Sequence, residues 1–111
     1  VGGGWNLTVT STQFSDGSGH TIPATASTIT GVTAGCATGS TCTLPTNNVS
    51  NSNLALPAGS GPPAAVKYFN AANATGLGRV NVNATVAVIV PANTIAATYS
   101  STITVSAVSG P

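Results

Sequence analysis

Asp16 and His20 lie four residues apart with serines nearby, the one place in this sequence where nucleophilic chemistry could be assembled. A Ser-His-Asp triad needs a buried carboxylate to orient the imidazole and an oxyanion hole beside the serine. Here the two residues flank Gly17-Ser18-Gly19, and the Asp16-Gly17-Ser18-Gly19 run predicts a solvated turn instead. His20, Cys36 and Cys42 are zinc-ligand types, but a tetrahedral site needs a fourth ligand or an open position. Cys36 and Cys42 enclose Ala-Thr-Gly-Ser-Thr. In a Gly/Thr loop that spacing reads as a local disulfide in preference to two free thiols, and the disulfide would remove two of the three zinc ligands. No metal and no other cofactor is expected. Lys67 could in principle crosslink to an Asn as an isopeptide, helped by a carboxylate; the only carboxylate is Asp16. A strand lysine with its stem on the surface and its head in solvent is the simpler expectation.

Two further residue types could meet ligands. Trp5, the only Trp, could stack on a sugar. It shares a strand face with Leu7 and Val9, which predicts a core anchor. Four Asn-x-Ser/Thr sites begin at Asn6, Asn48, Asn73 and Asn83, about what ten Asn in a Ser/Thr-rich chain give by chance. If the source glycosylates, Asn48 and Asn73 are the expected acceptors, because they fall in loops.

The charge count excludes more than it offers. Only Asp16, Lys67 and Arg79 carry a fixed charge, so 3% of the 111 residues are charged, against about 25% in ordinary soluble domains. One carboxylate cannot make the pair that glycoside hydrolysis needs, nor a calcium cage. Two basic residues cannot neutralise a nucleic-acid backbone. Net charge is +1, so electrostatic repulsion does little to keep molecules apart. A surface of Ser, Thr, Asn, Gly and Ala suits packing against copies of itself or burial under sugar.

The elements that must position these residues are strands. Val, Ile and Thr total 35 residues, while Leu, Lys, Arg and Gln total 8 and Glu and Met are absent. β-Branched side chains lose little rotamer freedom on a pleated surface and more in a helix. Trp5, Leu7 and Val9 alternate with Asn6, Thr8 and Thr10, a half-buried strand. Further strands are expected at 20–22, 28–33, briefly at 54–56, and at 64–71 around Val66, Tyr68 and Phe69. The strongest alternation is Val80, Val82, Ala84, Val86, Val88 and Val90, closed by Pro91; it predicts a central strand whose end is apolar on both faces. A closing strand is expected over 98–108, with Tyr99, Ile103 and Val105 on one face. Residues 1–4 form a Gly-rich hinge, and 5–111 a single all-β domain. The expected fold is an antiparallel β-sandwich, immunoglobulin-like or jelly-roll-like, with room for a strand from a neighbouring subunit. No apolar run reaches the 18 or so residues of a membrane span.

Gly4-Trp5-Asn6-Leu7-Thr8-Val9-Thr10 resembles the first signature of the Trp-x-Leu (WxL) surface domain of Gram-positive bacteria, a G-W-x-L-x-V strand. The other end is similar too: Pro91-Ala92-Asn93 leads through Tyr99 to Ser101-Thr102-Ile103-Thr104-Val105-Ser106 and Pro111. Ile103-Thr104-Val105 stands where that family has its second Trp-x-Leu. The resemblance implies a β-rich, non-enzymatic domain held non-covalently to the cell wall, with Trp5 near the ligand.

The expected function is structural: a secreted subunit that assembles with copies of itself into an extracellular filament, pilus-like fibre or surface layer by strand addition. The alternatives are a cell-wall glycan-binding module and a virion surface or decoration protein. An enzyme is the least expected class. The expected location is extracellular or the cell surface.

Overall fold

The structure is a computed structural model and describes residues 2–111; Val1 of the expected hinge lies outside the described residues. Among the described residues seven strands occur in chain order: β1 Trp5–Thr12, β2 Ser27–Cys36, β3 Leu54–Ala55, β4 Ala58–Gly59, β5 Val66–Ala71, β6 Val80–Val88 and β7 Ile103–Ser109. No helix is present among the described residues, so none is long and apolar enough to cross a membrane. The chain is all-β, with two open sheets.

In the first sheet β1 is central. β7 pairs antiparallel along its whole length on one side. On the other side β5 pairs antiparallel with its first half and β4 pairs parallel with its end. In the second sheet β2 lies between β3 and β6. The parallel β4 departs from the all-antiparallel expectation for a local reason. Residues 54–59 cross from one sheet to the other: Leu56 N–H donates to the Ser27 carbonyl, and Ser11 N–H to the Pro57 carbonyl. The segment therefore reaches β1 running in the same direction as β1.

The sheets share one buried cluster, Val9, Ile29, Leu56, Tyr68 and Phe69, with Trp5, Leu7, Val32 and Val82 packed against it. Tyr68 and Phe69 are consecutive yet both buried, which simple alternation forbids. The β1–β5 register shifts by one residue at Leu7/Thr8, and this bulge turns both rings inward.

The turns follow from their residues. Asp16 Oδ1 accepts from the Ser18 N–H at 2.7 Å and the His20 N–H at 3.1 Å, while Gly17 and Gly19 supply positive φ. Only an isolated bridge, Ser15 to Thr21, stands where the 20–22 strand was expected, because Asp16 turns the chain too tightly for a ladder. The Cys36–Cys42 disulfide closes the loop after β2, with a Cα–Cα separation of 5.5 Å. Gly2 is tied in by its carbonyl, which accepts from Ala74 N–H, and the Gly4 carbonyl accepts from Gly110 N–H at 3.1 Å.

The closing strand starts later than expected, at Ile103. Residues 99–102 are held by an isolated Ser15–Ser100 bridge, by the Thr12 N–H on the Thr102 carbonyl, and by side chains: Ser101 Oγ donates to the Thr12 carbonyl, Thr102 N–H to Thr12 Oγ1, and Tyr99 Oη to the Ile95 carbonyl. Tyr99 is therefore a loop residue, not a member of that strand.

Candidate functional site

The two flanks of the molecule are finished differently. On the β5 flank the outer edge is covered. Asn47 Oδ1 accepts from the Asn70 N–H at 2.9 Å, Asn70 Oδ1 accepts from the Asn48 N–H at 2.8 Å, and Asn51 Nδ2 donates to the Tyr68 carbonyl at 3.1 Å. Amide side chains thus stand in for a neighbouring strand, a common need at a sheet edge. The Asn-rich loop supplying them reads in sequence only as turn-forming residues.

On the other flank β6 and β7 are the last strands of their sheets, and no strand pairs their outer sides. Cross-strand partners share a face, so register shows where each side chain points. Val105 pairs with Val9 and Ile103 with Ser11, both buried. Val86 pairs with Ile29 and Val88 with Ser27, also buried. All four side chains therefore face the core side. Their exposures are nevertheless 52% for Val105, 50% for Ile103, 39% for Val86 and 36% for Val88. These four do not form core, and β6 is an edge strand, not a central one. The cause is the same at each: among the described residues no strand continues either sheet beyond β6 or β7. Val80 and Val82, nearer the start of β6, are half-buried.

At the start of β1 this open flank deepens into a cavity of about 720 Å³, lined by Trp5, Leu7, Tyr68, Val80, Val82 and Val105 among others. Trp5 is held in place there. Its Nε1–H donates to the Gly76 carbonyl at 3.0 Å, and its ring lies 6.0 Å from Phe69, centroid to centroid. Gly76 has φ +66°, and a Cβ there would sit 2.6 Å from Trp5 Nε1. Gly4 has φ +79°, and a Cβ there would overlap the Ala71 carbonyl oxygen. Burial pushes the Tyr68 phenol above its ordinary pKa, and its hydroxyl has no hydrogen-bond partner among the described residues.

The free edges also carry unused backbone donors. Along a strand successive N–H groups point to opposite edges. Gly110 N–H donates to the Gly4 carbonyl, so the even-numbered amides of β7 face β1. Those of Val105, Ala107 and Ser109 face outward.

The remaining candidate residues lie elsewhere and do not converge. Asp16 and His20 pair at 2.6 Å, Oδ2 to Nδ1, on the exposed turn. Hydrogen bonds from the Ser18 backbone and the His20 side chain hold the Asp16 carboxyl below the usual range. Cys36 and Cys42 are spent in their disulfide. Lys67 Nζ donates to the Pro111 carbonyl at 3.0 Å. Asn48 and Asn73 are exposed, while Asn6 is buried and donates to the Gly110 carbonyl at 2.8 Å. No family model matches the chain, and no curated protein or solved structure matches it.

Proposed function

We propose that this chain is a secreted structural subunit, an open β-sandwich that assembles with copies of itself into an extracellular filament, pilus-like fibre or surface layer. A neighbouring subunit covers the flank between β6 and β7, adding backbone to free edges and side chains to the groove. One observation carries the reading: Val86, Val88, Ile103 and Val105 face the core side and are a third to a half exposed. A finished monomer would cover them, as it covers Val9 and Ile29.

The size of the uncovered surface supports the same reading. The accessible surface is 6396 Å², against about 5,500 Å² for a compact 10.7-kDa monomer. The surplus of about 900 Å² is close to the roughly 800 Å² that each partner contributes to a standard interface. The radius of gyration is 16.1 Å, against about 13 Å for a compact chain of this length.

The test is electron microscopy of the concentrated chain with amide hydrogen exchange on the same sample. Filaments or a lattice are expected, with the Val105 and Ala107 amides protected only after assembly. A chain that stays monomeric at high concentration with those amides already protected overturns the proposal.

A second reading, a wall-binding module in the WxL manner, draws on Trp5, whose ring lines the cavity. An aromatic ring presents a flat apolar face, to which the C–H groups of a sugar can pack. That reading requires the chain to pellet with purified peptidoglycan, and Trp5→Phe to weaken the pelleting without unfolding the protein.

A further inference from the structure

The cavity lies at one end of the molecule, and the most exposed apolar side chains lie at the other. β6 runs from Val80, which lines the cavity with Trp5 and Ser109, to Val88, which stands beside Phe14 and Ile22 at the far end. There the chain continues as Ile89 and Val90 and turns at Pro91 toward Ile95. Ile89 is 71% exposed, more than any other large apolar residue among the described ones, and Val90 and Ile95 are more than half exposed. The Ile89 N–H donates to the Ala26 carbonyl at 3.0 Å, so 88–90 is held along one side and presents its other side to solvent. No charged residue follows Arg79. The far end therefore carries none of the charges that normally guard an exposed edge; the cavity's lining is uncharged as well, with Lys67 and Arg79 next in sequence to its Tyr68 and Val80.

Resting on the self-assembly proposed above, we infer that the contact is head-to-tail: the Val88–Val90 stretch with Ile95 of one copy seats in the Trp5-end cavity of the next. The cavity supplies what this occupant needs. Its walls are mainly apolar, the outward amides of Val105 and Ala107 can donate to the incoming backbone, and the Tyr68 hydroxyl has no partner among the described residues. No residue lining the cavity, and none from Val88 to Ile95, carries a charge. Because the two surfaces differ, using one leaves the other free on each subunit. Such a contact propagates into a fibre unless its rotation closes a ring. The molecule measures 49 × 27 × 21 Å, so stacking along the long axis sets an axial repeat at or somewhat below 49 Å.

Two variants test this. Ile89→Asp with Ile95→Asp spoils the projecting end, and Val105→Asp spoils the cavity. All three positions are at least half exposed, so the fold should not depend on them; circular dichroism and thermal melts check that. Each variant alone should raise the critical concentration for assembly at least about tenfold, because a carboxylate must enter an apolar contact. Mixed in equal amounts, the two retain one intact junction and should form a heterodimer of twice 10.7 kDa in sedimentation velocity. Either variant polymerising like the parent chain overturns the inference, as does a mixture that stays monomeric or a repeat near 27 or 21 Å. In those cases self-assembly itself still stands. A parent chain that never assembles overturns the self-assembly proposal and this inference with it. If Asp at 105 unfolds the chain, Val108→Asp, also on the cavity wall, takes its place.

Discussion

Val9 and Val105 make a controlled comparison. They are the same residue type, directly paired across β1 and β7 and pointing to the same face, yet Val9 is 3% exposed and Val105 52%. Truncating either to Ala removes about two methylene equivalents, each worth roughly 0.8 kcal/mol when fully buried. At Val9 the loss is the whole transfer term, about 1.6 kcal/mol, plus a cavity among packed neighbours, for a total of about 2–3 kcal/mol. At Val105 about half of the transfer term remains, roughly 0.8 kcal/mol, and no cavity is enclosed. A domain of this size loses roughly 4–8 °C of melting temperature per kcal/mol. Val9→Ala should therefore melt some 10–20 °C lower in dilute solution, and Val105→Ala only about 3–6 °C lower. Urea unfolding followed by Trp5 fluorescence at low concentration gives both values. On the self-assembly proposed above, the half of Val105 that dilute conditions leave wet would be covered by the next subunit. The same Val105→Ala change should then weaken each subunit contact by a further 0.8 kcal/mol or so, about fourfold in association constant. Equal destabilisation of the dilute monomer by the two variants would mean that Val105 is already covered, and the open flank would not exist in solution.

Three other outcomes follow from particular contacts. Gly76→Ala puts a Cβ 2.6 Å from Trp5 Nε1 at φ +66°; a positive φ and overpacking together should cost about 2–4 kcal/mol in chemical denaturation, far more than Gly61→Ala, which meets nothing within 4 Å. Reducing Cys36–Cys42 frees a loop with a sequence separation of 6, and loop-closure entropy puts the loss near 2 kcal/mol, read by melting with and without reductant. Asp16 has a lowered pKa in the folded chain, so its contribution to stability is complete above the ordinary carboxylate value. It is lost as the pH falls below about 4 and through the lowered value. Amide exchange at Ser18 and His20 should quicken over that range, and Asp16→Asn should flatten the dependence.

Much of the architecture could be read from residue types. The Trp5–Thr12 alternation, the loop disulfide and the Asp-Gly turn each follow from local chemistry acting over a few residues. Alternation, however, reports which face a residue takes and not what lies opposite it. Val80 to Val90 has the strongest period-two pattern in the chain, and a pattern apolar on both faces fits a central strand and a bare edge equally well. Alternation alone therefore predicts Val86, Val88, Ile103 and Val105 as core, since each lies on an apolar face. They face the core side and are nevertheless 36–52% exposed.

The same limit explains why the cavity could not be found in advance. It is made by residues from four strands that meet only through register: Trp5 and Leu7, Tyr68, Val80 and Val82, and Val105. The Leu7/Thr8 bulge that turns Tyr68 inward leaves no mark in the sequence. What the sequence does carry is an asymmetry of protection. Asn47, Asn51 and Asn70 bond the β5 edge shut, whereas no Lys, Asp, Glu or Arg occurs anywhere from Val80 to Pro111. A long edge without such guards is an aggregation hazard in a monomer. In a chain that covers its other edge with side-chain amides, an unguarded one supports the proposal that this flank meets another subunit.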